Sequence, residues 1–199
     1  SGGRVSKIQQ EILGQAKNAS ENMVRIVNDL LNVVRIEEGR FGYQFSPSDL
    51  AVLLKEIVQV YMPIAKAKGL TFKLINPKEH VPLVSYDSVK FSLAIQNLVD
   101  NAIKYTHPKG SITVSYGVEG THAYIRVADT GVGIAAEDKR KLFTKFFRSR
   151  RALQMFTDGS GLGLYIVKNI VDHHSGSIVV ESEEGKGTTF IVTVPLTHP

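Results

Sequence analysis

Apolar residues recur at helical spacing along the first forty positions: Val5, Ile8, Ile12, Ala16, Ala19, Met23, Ile26, Leu30 and Val33, with a second flank at Val24, Val27, Leu31 and Val34. The spacing predicts one long helix over 4–38, closed by Gly39 as a C-cap, with an apolar stripe too wide for a helix lying alone. Beyond it the period alternates. A short strand over 41–45 leads into a helix over about 47–68, with Ser46 as N-cap and Pro47 in its first turn. Strands follow over 71–75 and near Leu83, then a helix over about 87–106. Next come a hairpin of strands over 111–116 and 123–128 around Glu119-Gly120, a helix over about 162–174, and strands over 177–182 and 188–194. Strand pairs with intervening helices predict an α+β two-layer sandwich, a mixed sheet covered on one face by helices. Three parts are expected: a linker end or expression scar at 1–3, the N-terminal helix at 4–40, and one domain at 41–199.

The helix over 87–106 carries two stripes. Phe91, Ile95, Leu98 and Ala102 form an apolar one, and Asn97, Asn101 and Lys104 form a polar neighbour by three- and four-residue spacing. Two amides and an ammonium therefore line one edge, and amide oxygens suit a hard cation such as Mg²⁺. In the strand over 123–128, Ile125 and Val127 point to one face and Asp129 continues the alternation, so a carboxylate is aimed at the interior. Burying it is costly unless donors meet it. Gly131 and Gly133 allow a turn and a close approach of backbone to a ligand. Gly159, Gly161 and Gly163 precede a helix, where free N–H groups and the positive dipole end favour an anion. This is no dinucleotide fingerprint, since no strand leads directly into it, and the Walker lysine is absent.

Composition narrows the partners. Cysteine is absent from the 199 residues, which excludes disulfides, thiolate metal sites and a cysteine nucleophile and fits a reducing cytoplasm. Apolar runs such as 50–54 are soon broken by a charge such as Lys55, so a membrane span is not expected. The net charge of +5 would permit nucleic acid, yet most of it sits between Glu137 and Asp158, where seven basic residues face three acidic ones. A basic loop beside a glycine-rich helix start points instead to a small polyanion, with a merely solvated loop as the alternative.

Four segments in order, Asn97-Leu98-Val99-Asp100-Asn101, Asp129-Thr130-Gly131-Val132-Gly133, Gly159-Ser160-Gly161-Leu162-Gly163 and Gly185-Lys186-Gly187-Thr188-Thr189, carry a family resemblance. Together they resemble the catalytic ATP-binding domain of sensor histidine kinases, a branch of the Bergerat-type ATPases related to gyrase, MutL and Hsp90. The resemblance covers about 45–196. The stretch from Asp29 to Gly39 resembles the end of the second helix of the kinases' dimerisation hairpin. It implies ATP and Mg²⁺ as cofactors, a magnesium contact at Asn101, phosphate contact at Lys104 and Tyr105 near the nucleotide, with catalytic roles for Asn97 and Lys104. Asp129 would meet the adenine amine, with Gly131, Gly133 and Ile134 beside it. Gly159, Ser160, Gly161, Leu162 and Gly163 would hold the phosphates, and Thr188 or Thr189 would reach the adenine side. Leu142-Phe143 and Phe146-Phe147-Arg148 resemble the aromatic hinge of a mobile lid, which adds Phe143 and Arg148 to the nucleotide set.

The family's phosphoacceptor histidine has no counterpart. Histidines occur at 80, 107, 122, 173, 174 and 198, none on the N-terminal helix, and all six are expected to be structural or surface residues. The expected partners are therefore a histidine-bearing helix supplied by another segment, a response regulator receiver domain, and a second copy through the N-terminal helix. Two other readings stand beside this one. Related ATP hydrolases place a glutamate where Asn97 stands, and an amide cannot act as that base. A nucleotide-gated interaction module would bind without turnover.

Overall fold

The computed structural model describes residues 6–77, 79–156 and 159–196, the side chain of Asn18 excepted. Residues 1–5, Asp158 and His198 lie outside this set. The first helix, α1 (Lys7–Glu37), starts at Ser6, whose hydroxyl accepts from the Gln9 N–H while the Gln9 side chain accepts from the Ser6 N–H. Its end is a Schellman turn: Gly39 takes φ +67°, its N–H donates to the Ile36 carbonyl, and the Arg40 N–H donates to that of Arg35.

The next segment departs from the predicted pattern. Phe41, Tyr43 and Phe45 alternate like a strand but pair with no backbone. The Tyr43 and Phe45 rings pack instead on the end of a distant helix, Tyr43 stacking 4.7 Å from His173 and Phe45 lying 4.9 Å from His174, while Phe41 meets the Tyr43 ring edge-on. The strand is β1 (Ser46–Ser48), antiparallel to β3 (Val84–Tyr86) with Pro47 opposite Ser85. Ser46 is therefore not a cap and Pro47 not a first-turn residue. The helix α2 (Leu50–Ala67) begins at Asp49, whose carboxylate accepts from the Ala51 N–H at 2.7 Å. Proline is tolerated in a two-stranded ladder because both strands are edges.

The remaining order matches the sequence pattern closely: β2 (Thr71–Ile75), α3 (Ser88–Tyr105), β4 (Ser111–Glu119), β5 (His122–Asp129), α6 (Gly163–His173), β6 (Ser177–Glu183) and β7 (Gly187–Pro195), with short α4 (Ala136–Lys139) and α5 (Arg150–Met155) in the basic loop. The five-stranded sheet runs β2-β4-β5-β7-β6, parallel only between β2 and β4, so it is mixed. Ile112, Val114, Ile125, Val127, Phe190 and Val192 bury one face against α3 and α6, which supply Phe91, Ile95, Leu98, Ile166 and Ile170. That face is the core, and each fully buried aliphatic or aromatic side chain contributes on the order of 1.5–3 kcal/mol. His174 sits inside it, 1% exposed, with Nε2 accepting from the Asp87 N–H at 3.0 Å and Nδ1 paired with the Ile170 carbonyl at 2.7 Å. His80, His107, His122 and His173 are exposed. Among the described residues no helix is long and apolar enough to cross a membrane.

Candidate functional site

The apolar stripe of α3 is bound to the sheet, so its polar shoulder must face the adjoining space. That space is a cavity of about 160 Å³ that opens to solvent at its mouth. Asn97, Asn101, Lys104 and Tyr105 line it, as do Asp129, Gly133, Ile134, Arg148, Gly159, Ser160, Gly161, Gly163 and Thr188. Leu162 does not; it is 1% exposed in the core beneath the loop. Gly131, Phe143 and Thr189 also lie outside the lining. Phe143 packs against the core, and a Cβ on Gly131 would stand 2.4 Å from the Tyr105 carbonyl oxygen.

At one end of the cavity Asp129 lies on β5 opposite Thr188 on β7. Their side chains share a face, because the register pairs them directly, and Thr188 is buried while Thr189 points away. Burial pushes the Asp129 carboxyl up to about 6, against the opposing pull of the Gly131 and Thr188 N–H groups. The Gly131 N–H is 2.7 Å from Oδ1, so an Asx turn and an inward carboxylate coexist. The following loop is fastened at three points: the Val132 N–H donates to the Tyr105 carbonyl, the Gly185 N–H to that of Val132, and the Ile134 N–H to the Ser182 hydroxyl at 2.9 Å. Gly133 permits this approach, with φ +66° and an added Cβ only 2.0 Å from the Glu183 carbonyl oxygen.

At the other end α6 begins without a side-chain cap, its first turn turned toward the cavity by Gly161 at φ +69°. Uncapped N–H groups with a dipole behind them favour an anion. The Asn97 amide nitrogen donates to the Leu93 carbonyl at 2.9 Å, which leaves its oxygen facing Gly163, where a Cβ would be 2.7 Å away. Asn97 and Asn101 thus offer neutral oxygens beside an anion-friendly helix start, a donor set that fits a hard divalent cation shared with phosphate. Lys104 Nζ lies 5.6 Å from the Tyr105 ring and 5.2 Å from that of Phe156.

The basic loop closes the cavity over this end. Its helices bury no residue. Leu142 is its buried apolar anchor, and the rest is polar: Arg148 donates to the carbonyls of Gly159, Ala152 and Phe156, Arg151 pairs with Glu184 at 2.8 Å, and Lys145 pairs with Glu37 of α1.

Several lining residues escaped the sequence reading. Val132, Leu142, Phe147, Leu164 and Phe190 supply the apolar lining, and Val132 stood within the quoted Asp129 segment. Asp100 lies between Asn97 and Lys104 on the same shoulder. Burial raises its carboxyl against the opposing influence of Arg25, Tyr61 and Lys104. Arg25 and Asp29 reach the cavity from α1, and the Ser160 hydroxyl donates to Asp29 at 2.8 Å. Sequence pattern holds no signal for that contact, since it depends on how α1 docks.

Residues 86–198 match the family described as histidine kinase-, DNA gyrase B-, and HSP90-like ATPase. The autoinducer 2 sensor kinase/phosphatase LuxQ of Vibrio parahaemolyticus is 31% identical over 194 residues, 94% of this chain and 22% of LuxQ. The chain spans about a fifth of that relative. Full-length ShkA, solved in complex with AMPPNP, superposes with a TM-score of 0.80 at 24% identity, over 99% of this chain and 41% of ShkA. The nucleotide-free catalytic domain of the histidine kinase ThkA gives a TM-score of 0.68 at 29% identity, covering 77% of this chain and 99% of that domain. ThkA has also been solved in complex with the response regulator protein TrrA.

Proposed function

Because the chain belongs to the histidine kinase-, DNA gyrase B-, and HSP90-like ATPase family, we propose that it binds Mg²⁺-ATP and delivers the γ-phosphate to a histidine imidazole on a helix packed against α1. The observation that carries this reading is the convergence of Asn97, Asn101 and Lys104, Asp129 with Thr188, and the uncapped start of α6 on one cavity. Asp129 accepts from the adenine amine, and Thr188 fills the space beside it. Asn97 and Asn101 would hold the metal through their oxygens, Lys104 and the α6 N–H groups would hold the phosphates, and Arg148 keeps the loop folded over them. Magnesium, when bound, neutralises charge developing on the phosphate oxygens. The chain's own residues then contribute positioning and electrostatic stabilisation rather than a base.

Asn97 supports kinase over hydrolase, because an amide cannot take a proton from water. The acceptor's docking surface is the exposed stripe of α1, where Ile8, Ile12, Met23, Val27 and Leu30 stay 47–71% exposed. The same stripe suits a second copy, and a receiver domain is the expected onward acceptor, the class of partner with which ThkA has been solved. An ATP requirement supports a cytoplasmic location for the reaction. Incubating the chain with labelled ATP, Mg²⁺ and a polypeptide bearing the preceding helix of a dimerisation hairpin tests this. Acid-labile label on the added helix alone is expected; label on His80, His107, His122, His173, His174 or His198 overturns the assignment of the acceptor.

A further inference from the structure

One wall of the cavity comes from α1, which is not part of the sheet-and-helix sandwich. Arg25 and Asp29, one turn apart, face Asp100 on α3 and Ser160 in the glycine-rich loop. This wall meets the glycine-rich loop through the Ser160–Asp29 hydrogen bond, whereas Asp129 stands on β5 opposite Thr188 of β7. The Arg25 guanidinium acts electrostatically on Asp100, Asp29 and Tyr105, lowering each carboxyl and the phenol against the effect of burial. It lines the cavity together with Asn101 and Lys104 of α3.

Charge at that end decides what Arg25 is for. Asp29 and Asp100 place two carboxylates there, and the cations lining it are Lys104, Arg148 and Arg25. Arg148 is committed to the carbonyl oxygens of Gly159, Ala152 and Phe156. Arg25 makes this a set of three cations against two carboxylates, and so leaves the side chains at this end with a net positive charge for a polyanion to meet. Arg25 donates to Asn22 at 2.6 Å through one nitrogen and makes no ion pair with the described residues, so most of its five donors are open to phosphate oxygens.

Resting on the nucleotide reading above, we propose that Arg25 is a γ-phosphate ligand carried by α1, so that a triphosphate is held jointly by the sandwich and the helix whereas a diphosphate is held by the sandwich alone. The arrangement is an arginine finger supplied in cis. Linkage makes the effect reciprocal: whatever displaces α1 weakens triphosphate binding, and a bound triphosphate tightens α1 against the glycine-rich loop.

Calorimetric titration of the full chain, Arg25→Ala and Arg25→Lys, each with ADP and with a non-hydrolysable ATP analogue at fixed Mg²⁺ and low salt, tests the proposal. Arg25 is exposed on its helix, and thermal melting of each variant checks that the fold is kept. The expected result is a loss of about tenfold or more in analogue affinity for Arg25→Ala with ADP changed by less than about twofold, and a partial recovery in Arg25→Lys, which keeps the charge but not the fork. Equal losses for both nucleotides, or no loss for either, overturn it. If the unmodified chain takes up neither nucleotide, the reading of the cavity fails first; if it binds both and Arg25→Ala does not discriminate, only the role of Arg25 fails.

Discussion

The two ends of the cavity are built by opposite means. Asp129 and Thr188 stand on paired central strands over a core of Ile125, Val127, Phe190 and Val192, and the loop after Asp129 is tied by backbone hydrogen bonds. The end at the start of α6 is roofed by a segment whose two short helices bury nothing and whose fastening is mostly ion pairs and arginine-to-carbonyl bonds. Buried apolar contact and ladder hydrogen bonds make an end that is formed before ligand arrives. Exposed ion pairs contribute only about 0–1 kcal/mol each, which leaves a roof that can open and be remade around a polyanion. Under the proposed function, recognition of the base is thus preorganised, and capture of the phosphates is conditional.

The largest expected break in this contrast is Gly133→Ala. The new Cβ would lie 2.0 Å from the Glu183 carbonyl oxygen at a residue with φ +66°, and the obstacle is backbone, which cannot rotate aside. Loss of at least about 3 kcal/mol of stability, read by denaturant unfolding, is expected together with loss of nucleotide binding. A variant of unchanged stability would mean that the preorganised end is softer than its contacts imply.

Next in size is the Asp129 carboxylate. Asp129→Ala should weaken ADP and ATP alike by about tenfold to a hundredfold, because adenine is common to both and a charge-assisted hydrogen bond is lost. The pH dependence sharpens this. Burial raises the folded carboxyl from 3.8 to about 6, so between those values the folded chain holds a proton that the unfolded chain has released, and the contribution of Asp129 to stability falls as pH rises through that window. Nucleotide binding runs the other way, since the adenine amine needs the ionised acceptor. Affinity should fall as pH is lowered through about 6, and Asp129→Asn should flatten that profile; a slope retained in the variant would place the titrating group elsewhere.

The smallest expected effect concerns the roof. Hydrogen exchange over 139–156 should be fast without nucleotide and slow with an ATP analogue, while 123–129 stays protected in both states. Equal protection of the roof in the two states would erase the contrast between the ends.

Much of the fold was legible because its signals are local. The α3 stripes, the Glu119-Gly120 hairpin and the strands of the sheet follow from period and turn chemistry over a few residues, and the β5 alternation aimed Asp129 correctly. The segment 41–49 was misread for the same reason: Phe41, Tyr43 and Phe45 carry strand periodicity, and only packing on His173 and His174 turns it to another use. Asp49 likewise took the cap from Ser46 because β1 pairs with β3.

Sequence alone determined the chemistry of this protein: amides and a lysine on one helical shoulder, a carboxylate at a strand end, glycines before a helix and a basic loop, each dictated by spacing along one element. Tertiary structure decided which of these share a cavity, that Thr188 rather than Thr189 lines it, that Leu162 is core, and that Arg25 and Asp29 of α1 reach it. The reason is physical. Periodicity sets the direction of a side chain relative to its own helix or strand, whereas what that side chain meets depends on how separate elements bury their apolar faces against one another.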